Sequence, residues 1–353
     1  MRSILKREVK NYMKNPLLWL GIVIGVFMVF QNVSPYLNIH YLREGETIVN
    51  DYPQNYRDGD VSCGYVPTEK ALRREMWEER IQEVLTSEFE MDNEGALSVI
   101  DDMKGMDISA SCAHLEGYGF YNAYYEYENT AYHKGTREEI NSYISERLEN
   151  RTFSYYFSRK FADFAGLFMG FFATVLLSVL FMQDTRRNTY ELLHTKPVSA
   201  GKYLSGKVGG GFAVCLIILA ALNLIFFGIC LASTRNSGFE VRLTDFLVAS
   251  CFYILPNMLM IVSVYSLISL LFKSPLPAVP FLFLYIVYSM GSRNAEGIYG
   301  YYGRPLAIMV RFPGGFFDTA PPPIALLNQS FLILAAICIV FLSMQIWKRR
   351  RVY

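Results

Sequence analysis

Residues 208–232 read VGGGFAVCLIILAALNLIFFGICLA, and this apolar stretch decides the fold class. No charged side chain interrupts it. As an α-helix it is long enough to cross a bilayer core of roughly 30 Å, which needs about 20 residues. A bilayer core contains no water to hydrogen-bond backbone groups, so a single segment that crosses it must form a helix. The stretch therefore predicts a membrane-spanning helix.

Five other apolar stretches resemble this one, and together they predict six transmembrane helices. The predicted spans are residues 16–33, 161–182, 208–232, 246–272, 276–290 and 324–347. The fifth is short and rich in proline at its start, and Pro256 predicts a kink in the fourth. Hydrophobic residues make up 52% of the chain and charged residues only 18%, below the roughly 25% typical of soluble domains. The sequence therefore predicts an α-helical polytopic membrane protein.

Basic residues are concentrated on one side of the predicted spans. If the amino terminus is cytoplasmic, the inner segments contain 15 Lys and Arg and three acidic residues, whereas residues 34–160 contain 13 basic and 24 acidic residues. Because cytoplasmic loops carry the excess of Lys and Arg, both termini are predicted to be cytoplasmic in a plasma-membrane protein. Residues 34–160 then form an extracellular domain inserted between the first two spans, and residues 348–353 form a basic cytoplasmic tail.

The inserted domain has helical patterning of its own, which predicts an α or α+β fold. Its first helix is predicted to start after Pro67 and Thr68 and to bury one face, formed by Trp77, Ile81, Val84 and Leu85. A second helix begins with a capping box at Thr136 and Glu139. Neither Pro nor Gly follows before the second span, so we expect one continuous helix into the membrane. One or two strands are expected between Tyr118 and Tyr132.

Two further features of the inserted domain bear on function. Cys63 and Cys112 are its only cysteines, and because an oxidising exterior favours disulfides, they are a candidate pair. The stretch from Tyr118 to Tyr132 contains six tyrosines. These either form a ligand-binding surface, or pack their own domain or rest on lipid headgroups.

Residues 1–15 are amphipathic and predict an interfacial helix before the first span. Leu5, Val9 and Tyr12 share one face, and the basic residues point elsewhere. Such a helix lies in the membrane interface with its basic side toward anionic headgroups. It acts either as an elbow that positions the first span or as an ordinary basic flank.

The connection between the second and third spans is the most informative segment. Residues 183–207 read QDTRRNTYELLHTKPVSAGKYLSGK, which predicts a short helix from Thr189 to Thr195 ending near Pro197. The segment resembles the corresponding connection of ABC type-2 exporter permeases. Such permeases also have an interfacial amino-terminal helix, six spans and a long outer loop, here residues 291–323, that contains re-entrant elements.

This resemblance implies that residues 183–207 form a cytoplasmic coupling segment that docks on a separate ABC ATPase. The docking core would be Glu191, Leu192 and Leu193, flanked by Arg187 and His194. ATP and Mg²⁺ would be bound by that partner, and a second permease chain would complete the unit. A merely basic inner loop is the alternative interpretation.

Nucleotide binding by the chain itself is not predicted. Gly201, Gly206 and Lys207 have the spacing of a phosphate-binding loop, but Val208 occupies the position of the Ser or Thr that would bind magnesium. The sequence also lacks an HExxH pair, paired metal-ligand spacing and a nucleophile elbow, so we expect no cofactor, no metal site and no enzyme activity. Nothing in it predicts nucleic-acid binding.

Polar residues are scarce within the predicted spans. Asp163 lies at the outer end of the second span, and Asn223 and Asn257 are the main deeper polar residues. The asparagines either line a transport path or contribute to interhelical packing. Since charges in membranes usually mark ion or proton paths, their scarcity favours export, or extraction from the outer leaflet, of an apolar or amphipathic peptide, lipid or drug. The alternative is a sensor whose outer domain binds a ligand and signals without transport.

Overall fold

The computed structural model describes residues 2–46, 48, 58–185, 199–290, 292–293, 299–300 and 303–350. The chain divides into two compact units. The span unit comprises residues 1–38, 151–313 and 319–353, and the inserted unit comprises residues 39–150 and 314–318.

The described residues are predominantly helical. In chain order, the helices are α1 (Arg2–Met13), α2 (Pro16–Val33), α3 (Lys70–Ser87), α4 (Asn93–Asp102), α5 (Ile108–Glu116), α6 (Ala123–Asn129), α7 (Arg137–Asn150), α8 (Phe153–Thr185), α9 (Ala200–Ser233), α10 (Leu243–Tyr253), α11 (Leu255–Phe272), α12 (Ala278–Ser289) and α13 (Ala325–Arg350). The short strands are β1 (Tyr65–Pro67), β2 (Tyr132–Lys134), β3 (Ser292–Arg293) and β4 (Tyr299–Gly300). β1 pairs antiparallel with β2, and β3 pairs antiparallel with β4.

Five helical segments in the described part of the chain are long and apolar enough to cross a membrane. They are Pro16–Asn38, Phe153–Ser178, Ala200–Asn236, Leu243–Phe272 and Ala325–Arg349. The start of the first segment, at Pro16, is determined by the local sequence. The side chain of Asn15 accepts a hydrogen bond from the Leu17 N–H at 3.0 Å, and Pro16 occupies the first turn, where a missing N–H costs nothing. α2 therefore has the same bounds as the predicted first span.

The prediction of six full-length spans is not confirmed, because the fifth is replaced by a short helix. α12 has 12 residues and rises only about 18 Å, well short of the bilayer core. The non-helical residues that follow obtain hydrogen bonds from side chains instead. The Ile308 N–H donates to Ser289 Oγ at 3.0 Å, and Asn328 Nδ2 donates to the Ala307 carbonyl at 2.8 Å. Buried irregular backbone is stable only with such partners.

Two of the predicted helices are interrupted, the first of them as expected. The fourth predicted span consists of α10 and α11, which separate at Ile254 just before Pro256, as the predicted kink requires. The predicted helix from the inserted unit into the second span is wrong, because α7 ends at Asn150 and α8 begins at Phe153. Thr152 Oγ1 accepts a hydrogen bond from the Tyr155 N–H at 3.2 Å, so its side chain caps the start of α8.

The inserted unit is built around the predicted buried face of α3. Trp77, Ile81, Val84 and Leu85 are all buried in a cluster with residues of α4, α5 and α6. Burying each aliphatic side chain of this kind contributes about 1.5–3 kcal/mol. The Trp77 indole donates to the Ala123 carbonyl at 2.9 Å, which positions α6 on the cluster. The stretch from Tyr118 to Tyr132, where one or two strands were expected, instead contains α6, and β2 begins only at Tyr132.

Residues 314–318 complete the inserted unit although they are distant from it in sequence. The Asp318 carboxylate accepts hydrogen bonds from Tyr143 Oη at 2.8 Å and Tyr132 Oη at 3.2 Å, and Arg147 Nη2 lies 2.7 Å from Oδ1. The Phe316 N–H donates to the Asp60 carboxylate at 2.8 Å. Burial, together with the Asp318 charge, raises the pKa of the Tyr132 and Tyr143 phenols.

Candidate functional site

The predicted ATPase-docking residues lie outside the described part of the chain. These are Arg187, Glu191, Leu192, Leu193 and His194, all within residues 186–198. The structure does describe the helices on either side of them. α8 ends at Thr185, and α9 begins at Ala200, where Ser199 Oγ accepts a hydrogen bond from the Lys202 N–H at 3.4 Å. The start of α9, which lies inside the coupling segment, therefore has a defined cap.

The beginning of α9 packs against α1 through a buried ion pair. Lys207 Nζ lies 3.6 Å from Glu8 Oε1, and the exposed fractions of the two side chains are 2% and 10%. Lys207 therefore does not face solvent, although it is one of the basic residues predicted for the inner side. A buried charge costs several kcal/mol to desolvate, so each residue depends on the other remaining in place.

Glycines allow the two helices to approach this closely. A Cβ atom at Gly210 would lie 2.7 Å from Glu8 Cβ, closer than carbon atoms can pack. A Cβ atom at Gly209 would lie 3.4 Å from Leu5 Cδ1. Contact with α1 therefore explains Gly209 and Gly210, whereas a Cβ atom at Gly211 would lie 3.2 Å from Leu177 Cδ2 of α8 and from Val262 Cγ1 of α11.

The same end of α9 also contacts the ends of two other helices. The rings of Tyr203 and Trp347 stack with centroids 4.4 Å apart. Ala200, Leu204 and Leu270 form a buried cluster with Trp347. Since Leu270 lies near the end of α11 and Trp347 near the end of α13, three helix termini are packed together beside the coupling segment.

The two predicted polar residues of the spans have local partners. Asn223 Nδ2 donates to the Leu219 carbonyl at 2.7 Å, and its Oδ1 accepts from Ser250 Oγ at 3.0 Å, which links α9 to α10. Asn257 Nδ2 donates to the Tyr253 carbonyl at 2.7 Å across the break between α10 and α11. For Asn223 these contacts favour the packing interpretation. The buried Oδ1 of Asn257 has no hydrogen-bond partner among the described residues.

A buried ion pair near the start of α8 was missed by the sequence analysis. Asp163 is 5% exposed, and its carboxylate pairs with the guanidinium of Arg311. Lys160 Nζ also donates to the Phe312 carbonyl at 3.4 Å. The sequence offers one indication of this pair, Asp163 itself, because an acidic side chain within a membrane span requires a partner. Its partner lies 148 residues away in the chain, beyond any local pattern.

The expected disulfide is not formed in the structure. Cys112 packs against the helical cluster of the inserted unit, and burial raises the pKa of its thiol to about 11. Cys63 Sγ lies 3.9 Å from Ser62 Oγ in the turn before β1, so the two thiols have different surroundings. Among the described residues, no group of three or more His, Cys, Asp or Glu could hold a metal ion.

Comparison with known proteins agrees with this architecture. A family model described as "ABC-2 family transporter protein" matches residues 2–296. The matched range includes α1, the inserted unit from residue 39 to 150 and the whole segment 183–207, and it ends before α13. No curated protein and no solved structure was found to match the chain. With five long apolar helices, the chain is a multi-pass membrane protein.

Proposed function

Because the chain belongs to the ABC-2 transporter family, we propose that it is the permease subunit of an ATP-driven exporter with a separate cytosolic ATPase. The match to this family over residues 2–296 is the observation that carries the proposal. The family implies association with an ABC ATPase component, and the sequence of this chain lacks the complete phosphate-binding motif. Two permeases and two ATPases form the working unit, in which the second permease is a copy of this chain or a related one.

Residues 183–207 are the coupling segment in this proposal. Leu192 and Leu193 supply apolar contact to a groove on the ATPase, and Glu191 pairs with a basic residue there. The described flank of the segment supports this role, since the start of α9 is joined to α1 by Glu8 and Lys207 and to α13 by Tyr203 and Trp347. A displacement of the segment by the ATPase would therefore move several helices at once, which is consistent with rigid-body rocking of the spans.

The proposed orientation has both termini in the cytoplasm and the inserted unit outside the plasma membrane. Charge supports it, because residues 34–160 contain 13 basic and 24 acidic residues and basic loops remain inside. The proposed cargo is an apolar or amphipathic peptide, lipid or drug. The buried charges described in the span unit engage protein partners, as in the Asp163–Arg311 pair, so they are used for packing rather than for an ion path.

Co-purification with the ATPase tests the proposal. We expect Glu191→Arg, and Leu192→Ala combined with Leu193→Ala, to leave insertion and abundance near normal. Recovery of the ATPase with the detergent-solubilised chain, and stimulation of its activity, should fall about tenfold or more, because a buried interface anchor is typically worth at least about 2 kcal/mol.

Lys202→Ala is the matched control, since Lys202 is exposed and lies outside the docking core. It should retain the ATPase. If the docking variants bind and stimulate the ATPase as well as the unchanged chain does, residues 183–207 are an ordinary inner loop and the proposed coupling is wrong.

A further inference from the structure

The inserted unit presents a face of exposed tyrosines on α6 and the turn before it. Exposed fractions are 77% for Tyr121, 53% for Tyr125, 43% for Tyr118 and 38% for Tyr124. We call these four residues the tyrosine face. Tyr124 and Tyr125 lie on α6, and Tyr118 and Tyr121 lie in the turn region before it, so the four exposed rings come from one short stretch of chain.

α6 and the turn before it are anchored in the hydrophobic cluster. Phe120 and Ala123 are buried, and the ring of Tyr127 meets that of Trp77 edge-on with centroids 5.6 Å apart. The tyrosine face is therefore held outward by packing. Exposed apolar patches of this kind typically mark interaction sites, and tyrosine suits them because its ring is apolar while its hydroxyl remains polar.

The surface around this face is strongly acidic. Residues 69–131 contain fifteen acidic and five basic residues. Four of the five basic residues are engaged within the unit. Arg73 lies 3.9 Å above the Tyr127 ring, Arg74 pairs with Glu78, Arg80 pairs with Glu83 and Glu126, and Lys104 pairs with Asp101. These pairs leave a large excess of negative charge on the surface of α3–α6.

Part of this charge lies near the tyrosine face. The ring of Phe89 packs on that of Phe120 with centroids 5.6 Å apart, and Phe120 lies between Tyr118 and Tyr121 in sequence. Glu88 and Glu90, which flank Phe89, are exposed, and so is Glu116, two residues before Tyr118. We call Glu88, Glu90 and Glu116 the acidic rim.

From this arrangement we infer that the tyrosine face and acidic rim bind a cationic amphipathic peptide. The tyrosine rings offer apolar contact and a negative π face to Lys and Arg, and the rim supplies the complementary charge that attracts and orients the ligand. An anionic lipid surface has the wrong sign of charge for this region and would be repelled by it. The inference does not depend on export, because binding is measured without transport.

The test uses the full chain in nanodiscs of phosphatidylcholine, with empty nanodiscs as the background. The probe is a fluorescently labelled helical peptide of Lys and Leu, and binding is followed by anisotropy. A peptide with every Lys replaced by Glu is the ligand control. We expect the Lys peptide to bind saturably and more weakly as salt rises, since salt screens exposed charges, and the Glu peptide not to bind.

Matched variants locate the binding surface. Tyr121→Ser with Tyr125→Ser, and separately Glu88→Lys with Glu90→Lys, should each weaken binding about tenfold or more, as loss of central interface contacts does. The control Glu44→Lys with Glu149→Lys makes the same change in net charge at exposed positions outside residues 69–131. It should alter the affinity by less than about twofold, because distant exposed charges are screened.

Three results would overturn the inference. The first is an equal loss of binding in the charge-matched control, which would indicate nonspecific attraction, and the second is unchanged binding in the tyrosine variant. The third result would come from Tyr121→Trp in nanodiscs of brominated phosphatidylcholine. The fluorescence of the added tryptophan is obtained there by subtracting the emission of the unchanged chain. Quenching of this tryptophan before peptide is added would assign the tyrosine face to the membrane. Tyr121 is so exposed that its replacement leaves the fold intact.

Discussion

The carboxylate of Asp318 is the common hydrogen-bond acceptor of three side chains in the inserted unit. Its oxygens accept from Tyr132, Tyr143 and Arg147. Both phenols donate hydrogen bonds to it, so they must remain protonated for the cluster to persist. Burial and the adjacent carboxylate raise the pKa of both phenols above their ordinary value, which favours the protonated, donating form.

This cluster predicts a loss of stability in alkaline solution. Phenols of the unfolded chain ionise near about pH 10, whereas Tyr132 and Tyr143 ionise at higher pH when folded. Their contribution to stability is therefore complete below about pH 10 and is lost as the pH rises toward the folded-state pKa. We expect the melting temperature of the full chain in nanodiscs to fall above about pH 10, and Tyr143→Phe to reduce the pH-dependent part of that fall.

Tyr143→Phe should also cost about 1 kcal/mol at neutral pH through the lost hydrogen bond. Tyr121→Phe is the control, since Tyr121 is 77% exposed, and its melting curve should follow that of the unchanged chain at every pH. An alkaline transition of unaltered size in Tyr143→Phe would contradict the assignment of the transition to this cluster.

At the scale of elements, the contact between α1 and α9 depends on the absence of a side chain at Gly210. A Cβ atom there would lie 2.7 Å from Glu8 Cβ, whereas no atom lies within 4 Å of one built at Gly228 on the same helix. We expect Gly210→Ala to lower the melting temperature and to expose α1 to protease. Gly228→Ala should be neutral or stabilise the chain by up to about 1 kcal/mol, because glycine is a poor helix former. Equal effects of the two changes would contradict close packing of α1 on α9.

Elements were predicted well where local pattern determines them. The face of Trp77, Ile81, Val84 and Leu85 was correct because helical spacing alone places these residues together. α2 has the bounds of the predicted apolar stretch, because apolar length is a local property of the sequence. Composition could not distinguish α12 from a full span, since apolar residues occur equally in helix and in buried irregular backbone. The partners that stabilise the latter, such as Asn328, are distant in sequence.

At the scale of the whole molecule, the same limit applies to function. The sequence indicated a membrane protein of an ABC-2 type, and the family match confirms this. It also indicated scarce charge within the spans, yet it did not identify the Asp163–Arg311 or Glu8–Lys207 pairs. Each joins residues more than a hundred positions apart, so only the folded chain reveals that these charges neutralise one another.

The orientation of the whole chain can be tested by impermeant thiol labelling of intact cells. Asp102→Cys lies at an exposed position of α4, and Thr195→Cys lies in the coupling segment. In a background with Cys63 and Cys112 replaced by Ser, we expect labelling of the first without permeabilisation and of the second only after it, because basic segments remain inside. The reverse pattern would contradict the proposed topology.

The inserted unit is not a contiguous stretch of chain, and this determines when it can be completed during synthesis. Asp60, Tyr132, Tyr143 and Arg147 are made early, but their hydrogen bonds to Phe316 and Asp318 form only when residues 314–318 emerge. At about 5–20 residues per second, the interval after residue 150 is roughly 10–30 s. During that time the nascent unit lacks its hydrogen bonds to residues 314–318, so a chaperone or a protease has a defined period in which to recognise it. A fragment ending at residue 150 would remain in this incomplete state permanently.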